Sequence, residues 1–266
     1  MDHSNHLAMS HDPTLVAVSW AVAFFAAFAA LNTLDRLRES ARHRNMWLWG
    51  GAVAFGFGVW AMHFTAMTAM SIGRFVTYEP GLTALSVVFA VLGAWSSFYF
   101  ITRGHPSPAR VVLCGTLLGA GIGAMHYTGM LAMRTQATLG FDLALVGVSV
   151  VVAVVISSVG LWLMTSRRLE AVPGRTLIVA AVVGSAIPLL HYAGMAAARF
   201  SAVGAEAGLA SRVGEGMALS LNLFLVVAIV VLSFPLFLSS LLGATDDNVD
   251  AAVDAAVDAA AELQRG

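Results

Sequence analysis

Seven apolar runs dominate the chain, near residues 14–34, 46–70, 81–101, 110–133, 142–165, 176–198 and 218–242, with short polar stretches between them. Each approaches the ~20 residues that a helix needs to cross the hydrocarbon core of a bilayer. The pattern predicts an all-α membrane protein with seven transmembrane helices. It divides the chain into an N-terminal stretch over 1–13 that contains His3, His6 and His11, a membrane domain over 14–242 and a tail over 243–266. Met1 to His11 contains no arginine and so lacks the basic start of a secretory signal, so the first run is expected to stay in the mature chain.

Arginine placement sets an orientation. Arg36, Arg38, Arg42 and Arg44 follow the first run, Arg103 and Arg110 flank the third loop, and Arg167, Arg168 and Arg175 the fifth, whereas the even loops hold only Arg74, Arg134, Arg199 and Arg212. Positive residues accumulate on the cytoplasmic side, which predicts an N-terminus outside, a C-terminus inside and a multi-pass protein of the inner (plasma) membrane. The tail carries Asp246, Asp247, Asp250, Asp254 and Asp258 among alanines and valines, and reads as a solvated acidic segment.

Composition narrows the function. With 59% hydrophobic and 11% charged residues the solvent is the lipid bilayer, and a formal charge of −1 leaves no basic surface for nucleic acid. All 14 basic residues are arginine, so a retinal Schiff base, which needs a lysine amine, is excluded. Cys114 is the single cysteine, which removes intramolecular disulfides and thiolate clusters. No phosphate-binding loop or nucleophile–base constellation is present, so the expectation is a protein that is not an enzyme.

An internal repeat locates the candidate site. Gly56 to Met70, Gly119 to Met133 and Gly184 to Ala198 align without gaps around Met-His-Phe-Thr-Ala-Met at 62–67, Met-His-Tyr-Thr-Gly-Met at 125–130 and Leu-His-Tyr-Ala-Gly-Met at 190–195. Glycine seven residues before each histidine and methionine four residues after it fall within about 60° on a helix, giving helices 2, 4 and 6 one shared stripe. The glycines, with Gly115, Gly119 and Gly123 spaced for close helix contact, predict that these three helices pack together. Counting at ~1.5 Å per residue from the cytoplasmic boundary puts all three histidines about 25 Å up, near the outer face.

An ionisable side chain in a span is costly, and three at one depth point to a shared site. Imidazole suits copper, zinc, iron and nickel, and thioether selects soft Cu(I), so the candidate ligands are His63, Met67, His126, Met130, His191 and Met195, with Met62 and Met125 beside them. Zinc on three histidines leaves the methionines unexplained, and those methionines also serve as flexible packing. Thr65 and Thr128 either orient an imidazole or bond back to their own helix. Haem, a small metal permease or delivery protein, and a purely hydrogen-bonded histidine cluster remain alternatives. Trp47, Trp49 and Tyr78 read as interfacial anchors.

The three hexapeptides resemble the signature of the MHYT-domain family, over roughly His11 to Leu242. The resemblance implies a bacterial integral membrane sensor that binds copper through Met62, His63, Met67, Met125, His126, Met130, His191 and Met195 and responds to a diatomic gas, O2, CO or NO. Leu190 and Ala193 in the third copy depart from the pattern. Family members often continue into cytoplasmic cyclic-dinucleotide enzymes, and only residues 243–266 follow the seventh run here, so the implied output is a separate cytoplasmic signalling partner.

Overall fold

A computed structural model describes residues 9–39, 44–74, 76–104, 107–169 and 171–202. The seventh run, the acidic tail, His3 and His6 lie outside these residues. Among the described residues, six helices are long and apolar enough to cross a membrane: α1 Pro13–Glu39, α2 Arg44–Ala69, α3 Pro80–Ile101, α4 Pro108–Ala132, α5 Leu143–Thr165 and α6 Arg175–Met195. They form a ring in chain order, with α6 returning to pack on α1. Leucine, valine and isoleucine side chains face outward on α5 and elsewhere, as expected where the solvent is hydrocarbon.

Six short strands complete the described chain: β1 Ser10–His11, β2 Met70–Ser71, β3 Val76–Tyr78, β4 Met133–Thr135, β5 Ala137–Phe141 and β6 Ala198–Ala202. They pair antiparallel as β1–β2, β3–β4 and β5–β6, with His11 opposite Met70, Tyr78 opposite Met133 and Phe141 opposite Ala198. These ribbons were absent from the all-helical reading. Each strand is too short to register against a period of two, and it spans only the polar gap between two apolar runs.

The ribbons reveal the true repeating unit, a strand–helix–helix–strand hairpin whose two ends are clasped on one side of the bundle. At the foot of each ribbon one amide bonds a carbonyl at or just past the end of a helix: Asp12 to Ala69 at 2.8 Å, Glu79 to Ala132 at 2.8 Å and Asp142 to Ala197 at 2.9 Å. The same three acids cap the helices that follow. Asp12 accepts from the Thr14 and Leu15 amides, Glu79 from Gly81 and Leu82, and Asp142 from Ala144 and Leu145. A carboxylate there satisfies amides that the first turn leaves unpaired and meets the positive end of the helix dipole.

At the opposite end arginines close the helices. Arg38 donates to the Thr165 carbonyl at 3.1 Å, Arg44 to that of Thr102 at 3.0 Å and Arg175 to that of Met164 at 2.6 Å, while Arg175 also pairs with Asp35 at 3.4 Å. Guanidinium groups at helix C-termini satisfy orphan carbonyls and oppose the negative dipole end. Several arginines that suggested orientation are therefore also structural caps.

The expected packing of α2, α4 and α6 through their glycines is corrected. A Cβ on Gly56 would lie 2.7 Å from the Val91 backbone of α3, on Gly119 2.9 Å from Ala153 and Val154 of α5, and on Gly184 2.6 Å from the Phe24 backbone of α1. Gly115 likewise abuts Ser158 of α5, and Gly123 has open space. Seven residues are ~10.5 Å of helix, and over that distance a crossing neighbour gives way to another. Each glycine thus seats a histidine-bearing helix against the odd-numbered helix beside it.

Enlarging such a contact should be costly. Gly184→Val is expected to lower detergent stability by about 2 kcal/mol, as overpacking of a tight contact does, while Gly147→Ala, where nothing lies within 4 Å, should be neutral or stabilising. Thermal melts of the two purified variants check this.

Candidate metal centre

His63, His126 and His191 come from α2, α4 and α6, and each stands within the last two turns before the ribbons. The three rings meet edge to face, with centroids 4.9, 5.0 and 5.3 Å apart, and all three residues are buried. Their Nδ1 atoms turn inward: His63 lies 3.0 Å from His191 and 3.3 Å from His126. One coordinating nitrogen from each falls within 4.8 Å of the others. The shared depth expected from counting residues is therefore present.

Hydrogen bonding alone does not account for both short contacts. A neutral imidazole nitrogen is either a donor or an acceptor. If His63 Nδ1 donates to one neighbour, it has no lone pair left for the other. If it accepts, one lone pair must serve two donors. A cation at the centre removes the conflict, because each nitrogen then directs a lone pair at the same point. Nitrogens of three imidazoles holding a metal at ~2.0–2.1 Å with near-tetrahedral angles stand ~3.3 Å apart, close to the 3.0 and 3.3 Å that separate His63 from its two neighbours. Further orphans surround the site: His63 Nε2, His126 Nε2 and Thr65 Oγ1 are enclosed with no hydrogen-bond partner among the described residues. Thr65 therefore makes neither of its two expected bonds, whereas Thr68 bonds back to Phe64 at 2.9 Å.

The methionines fall into two layers. Met67, Met130 and Met195 gather with Met70 and Met133 in an apolar cluster on the ribbon side. Met62 and Met125 belong to the main core on the other side and line, with the histidines, Leu190 and Gly194, a cavity of about 20 Å³. Leu190 occupies the place of the third methionine of that layer.

Three features of the site escaped the sequence reading. The residue three after each histidine is Ala66, Gly129 or Gly194, and a Cβ would stand 2.7 Å from His63 Nε2 at Gly129 and 2.4 Å from His126 Nε2 at Gly194. In the second and third hexapeptides the glycine thus makes room for the imidazole of another copy. The second feature is a set of aromatic plugs. The last residues of β1, β3 and β5 meet the residue that follows a histidine: His11 on Tyr192 at 5.7 Å, Tyr78 on Phe64 at 5.1 Å and Phe141 on Tyr127 at 5.5 Å. Tyr78 is thus a plug rather than an interfacial anchor, while Trp49 is half exposed and stacks on Trp95 at 5.3 Å. Each plug belongs to one copy and rests on another, so the three copies interlock in a circle. The third feature is the set of capping acids, each immediately after a plug.

A multi-pass membrane protein whose threefold hairpin repeat gathers three histidines under a strand-built cap is the class that this fold and site define. The family model described as a bacterial signalling protein N-terminal repeat, MHYT, matches residues 56–114 and 119–173, and the chain belongs to the MHYT family. It is 36% identical over 240 residues to the bifunctional diguanylate cyclase/cyclic di-GMP phosphodiesterase MucR of Pseudomonas aeruginosa, covering 88% of this chain and 34% of that protein. Identity to the cyclic di-GMP phosphodiesterase NbdA of the same organism is 34% over 71% of this chain and 24% of NbdA. With the signaling protein YkoW of Bacillus subtilis it is 29% over 72% of this chain and 24% of YkoW. The chain spans between about a quarter and a third of the length of these relatives. No solved structure matches it.

The capping acids carry a pH signature. Amides of Leu82 and Gly81, then Arg134, hold the Glu79 carboxyl below its usual 4.5, and the Leu145 amide followed by Arg199 holds Asp142 below 3.8. Groups depressed in the folded state stabilise it fully above their unfolded values, and the contribution is lost as pH falls through the folded ones. Melting temperature should therefore hold steady from neutral pH to about 5 and fall below that. In Glu79→Gln/Asp142→Asn the acid limb should flatten, and an unchanged limb would contradict the assignment.

Proposed function

We propose that this protein is an integral membrane sensor that holds one copper ion near the outer face through His63, His126 and His191 and responds to a diatomic gas, O2, CO or NO. The observation that carries the reading is the convergence of three buried Nδ1 atoms at 3.0 and 3.3 Å, a spacing that suits a metal and does not suit three neutral rings bonding to each other. Copper is favoured over zinc by the surroundings. Met67, Met130 and Met195 on one side, with Met62 and Met125 on the other, offer soft thioethers in a water-poor site, and thioether prefers Cu(I). When bound, copper would supply an electron-rich position open to a small π-acid ligand.

The chain's own residues do the rest. Gly129 and Gly194 leave the imidazoles room to turn inward, and the aromatic plugs keep water from the ribbon side. The cavity of about 20 Å³ beside the histidines exceeds the ~10–15 Å³ that one water-sized ligand needs and is far too small for a porphyrin, which disfavours haem. A ligand that shifts the histidines also shifts Gly129 and Gly194, and through them the bundle, and the output passes to a cytoplasmic signalling partner.

Purified protein loaded with Cu(I) is expected to retain about one copper per chain, and His63→Ala/His126→Ala/His191→Ala to retain none by elemental analysis. Equal copper in both would refute the site, a Soret band would bring haem forward, and copper flux into liposomes would favour a permease. Replacing Met67, Met130 and Met195 together by leucine should weaken Cu(I) by about tenfold or more and leave Zn(II) affinity unchanged. Competition titrations with calibrated chelators read both values.

A further inference from the structure

Threefold equivalence makes the exception visible. The plug positions are Tyr78, Phe141 and His11, and His11 alone among them carries a nitrogen donor of the kind that suits copper. It is also exposed, whereas Tyr78 and Phe141 are partly buried. Across the β1–β2 pair its partner is Met70, a buried member of the methionine cluster above the histidines. Residues directly opposite in an antiparallel pair point to the same face with Cβ atoms ~4.5–5.5 Å apart, close enough for imidazole and thioether to share one soft ion. Beneath His11 lies Tyr192, whose hydroxyl is enclosed and without a hydrogen-bond partner among the described residues, and the Tyr192 ring touches that of His191 at 5.1 Å.

We propose that His11 and Met70 form an entry site for a soft monovalent cation, Cu(I), through which the ion passes between the ribbon-side aqueous face and the histidine centre. The inference rests on the copper reading above. A hydrated cation moving toward a buried centre loses its water shell, and its passage is fastest where protein ligands replace that water in steps. At Tyr78 and Phe141 the passage is closed by partly buried aromatic rings that offer no nitrogen or sulfur donor. At His11 an exposed imidazole stands opposite the thioether of Met70, and Met70 joins Met67, Met130 and Met195 in the cluster beside the histidines. A way station of this kind changes the rate of exchange and leaves the equilibrium at the centre alone.

The test uses the full chain in lipid nanodiscs, with Cu(I) delivered from and withdrawn by a chelator, and Ag(I) as a redox-inert probe. Wild type is compared with His11→Phe, which places in the first copy the residue type of the third, and with His11→Gln and the control Tyr78→Phe. Both His11 variants are expected to bind the same amount of metal with the same affinity, but to load and release it about tenfold more slowly. Tyr78→Phe should change neither rate. Rates within twofold of wild type for both His11 variants would overturn the entry site while leaving the centre standing. A lowered equilibrium affinity would overturn it too, since His11 would then be a ligand of the centre. Wild type that takes up neither ion would defeat the copper reading and this inference with it.

Discussion

Imidazole nitrogens cannot be left facing one another in a hydrocarbon bundle without a reason for the lone pairs and protons between them. Three rings meeting at 3.0 and 3.3 Å leave at least one contact unsatisfied by any assignment of neutral tautomers. That constraint organises what surrounds it. Gly129 and Gly194 must stay small because another copy's ring occupies their space, the helices must end at the same level, and the ribbon side must be capped because an open mouth would flood the centre. The odd-numbered helices then fill the gaps that three inclined helices leave, with Gly56, Gly119 and Gly184 setting how closely they approach.

Much of this was legible in the sequence, and the reason is repetition. Hydrophobic length located the helices to within a few residues, because a bilayer imposes one thickness on all of them. Equal spacing of His63, His126 and His191 from polar boundaries gave their common depth. Packing partners were harder to read. A glycine on the histidine face of a helix says that something approaches closely, but not which element, and the approaching elements proved to be α3, α5 and α1. The ribbons were illegible because two to five residues between apolar runs carry no alternation to detect. Gly129 and Gly194 stood in the quoted hexapeptides all along. Their role becomes visible only when another copy's imidazole is placed beside them.

The two methionine layers illustrate how one residue type can have two origins. Met62 and Met125 sit in a core of leucine, isoleucine and phenylalanine, where a flexible side chain fills irregular space. Met67, Met130 and Met195 face Met70 and Met133 in a small cluster closed by Ile72, Phe200 and the ribbon side chains. Sulfur concentrated there, between the histidines and the plugs, is hard to explain by packing alone, since leucine fills the third position of the lower layer without disturbing the repeat.

The circular interlock has an arithmetic consequence. Because β1 leans on the third copy, β3 on the first and β5 on the second, no copy completes its own cap, and the ring closes only when the third strand-helix pair reaches back to its predecessor. Two hairpins would leave one tyrosine bare and a vacant sector in the bundle. A chain of only two such hairpins would therefore need a second molecule to supply the missing sector.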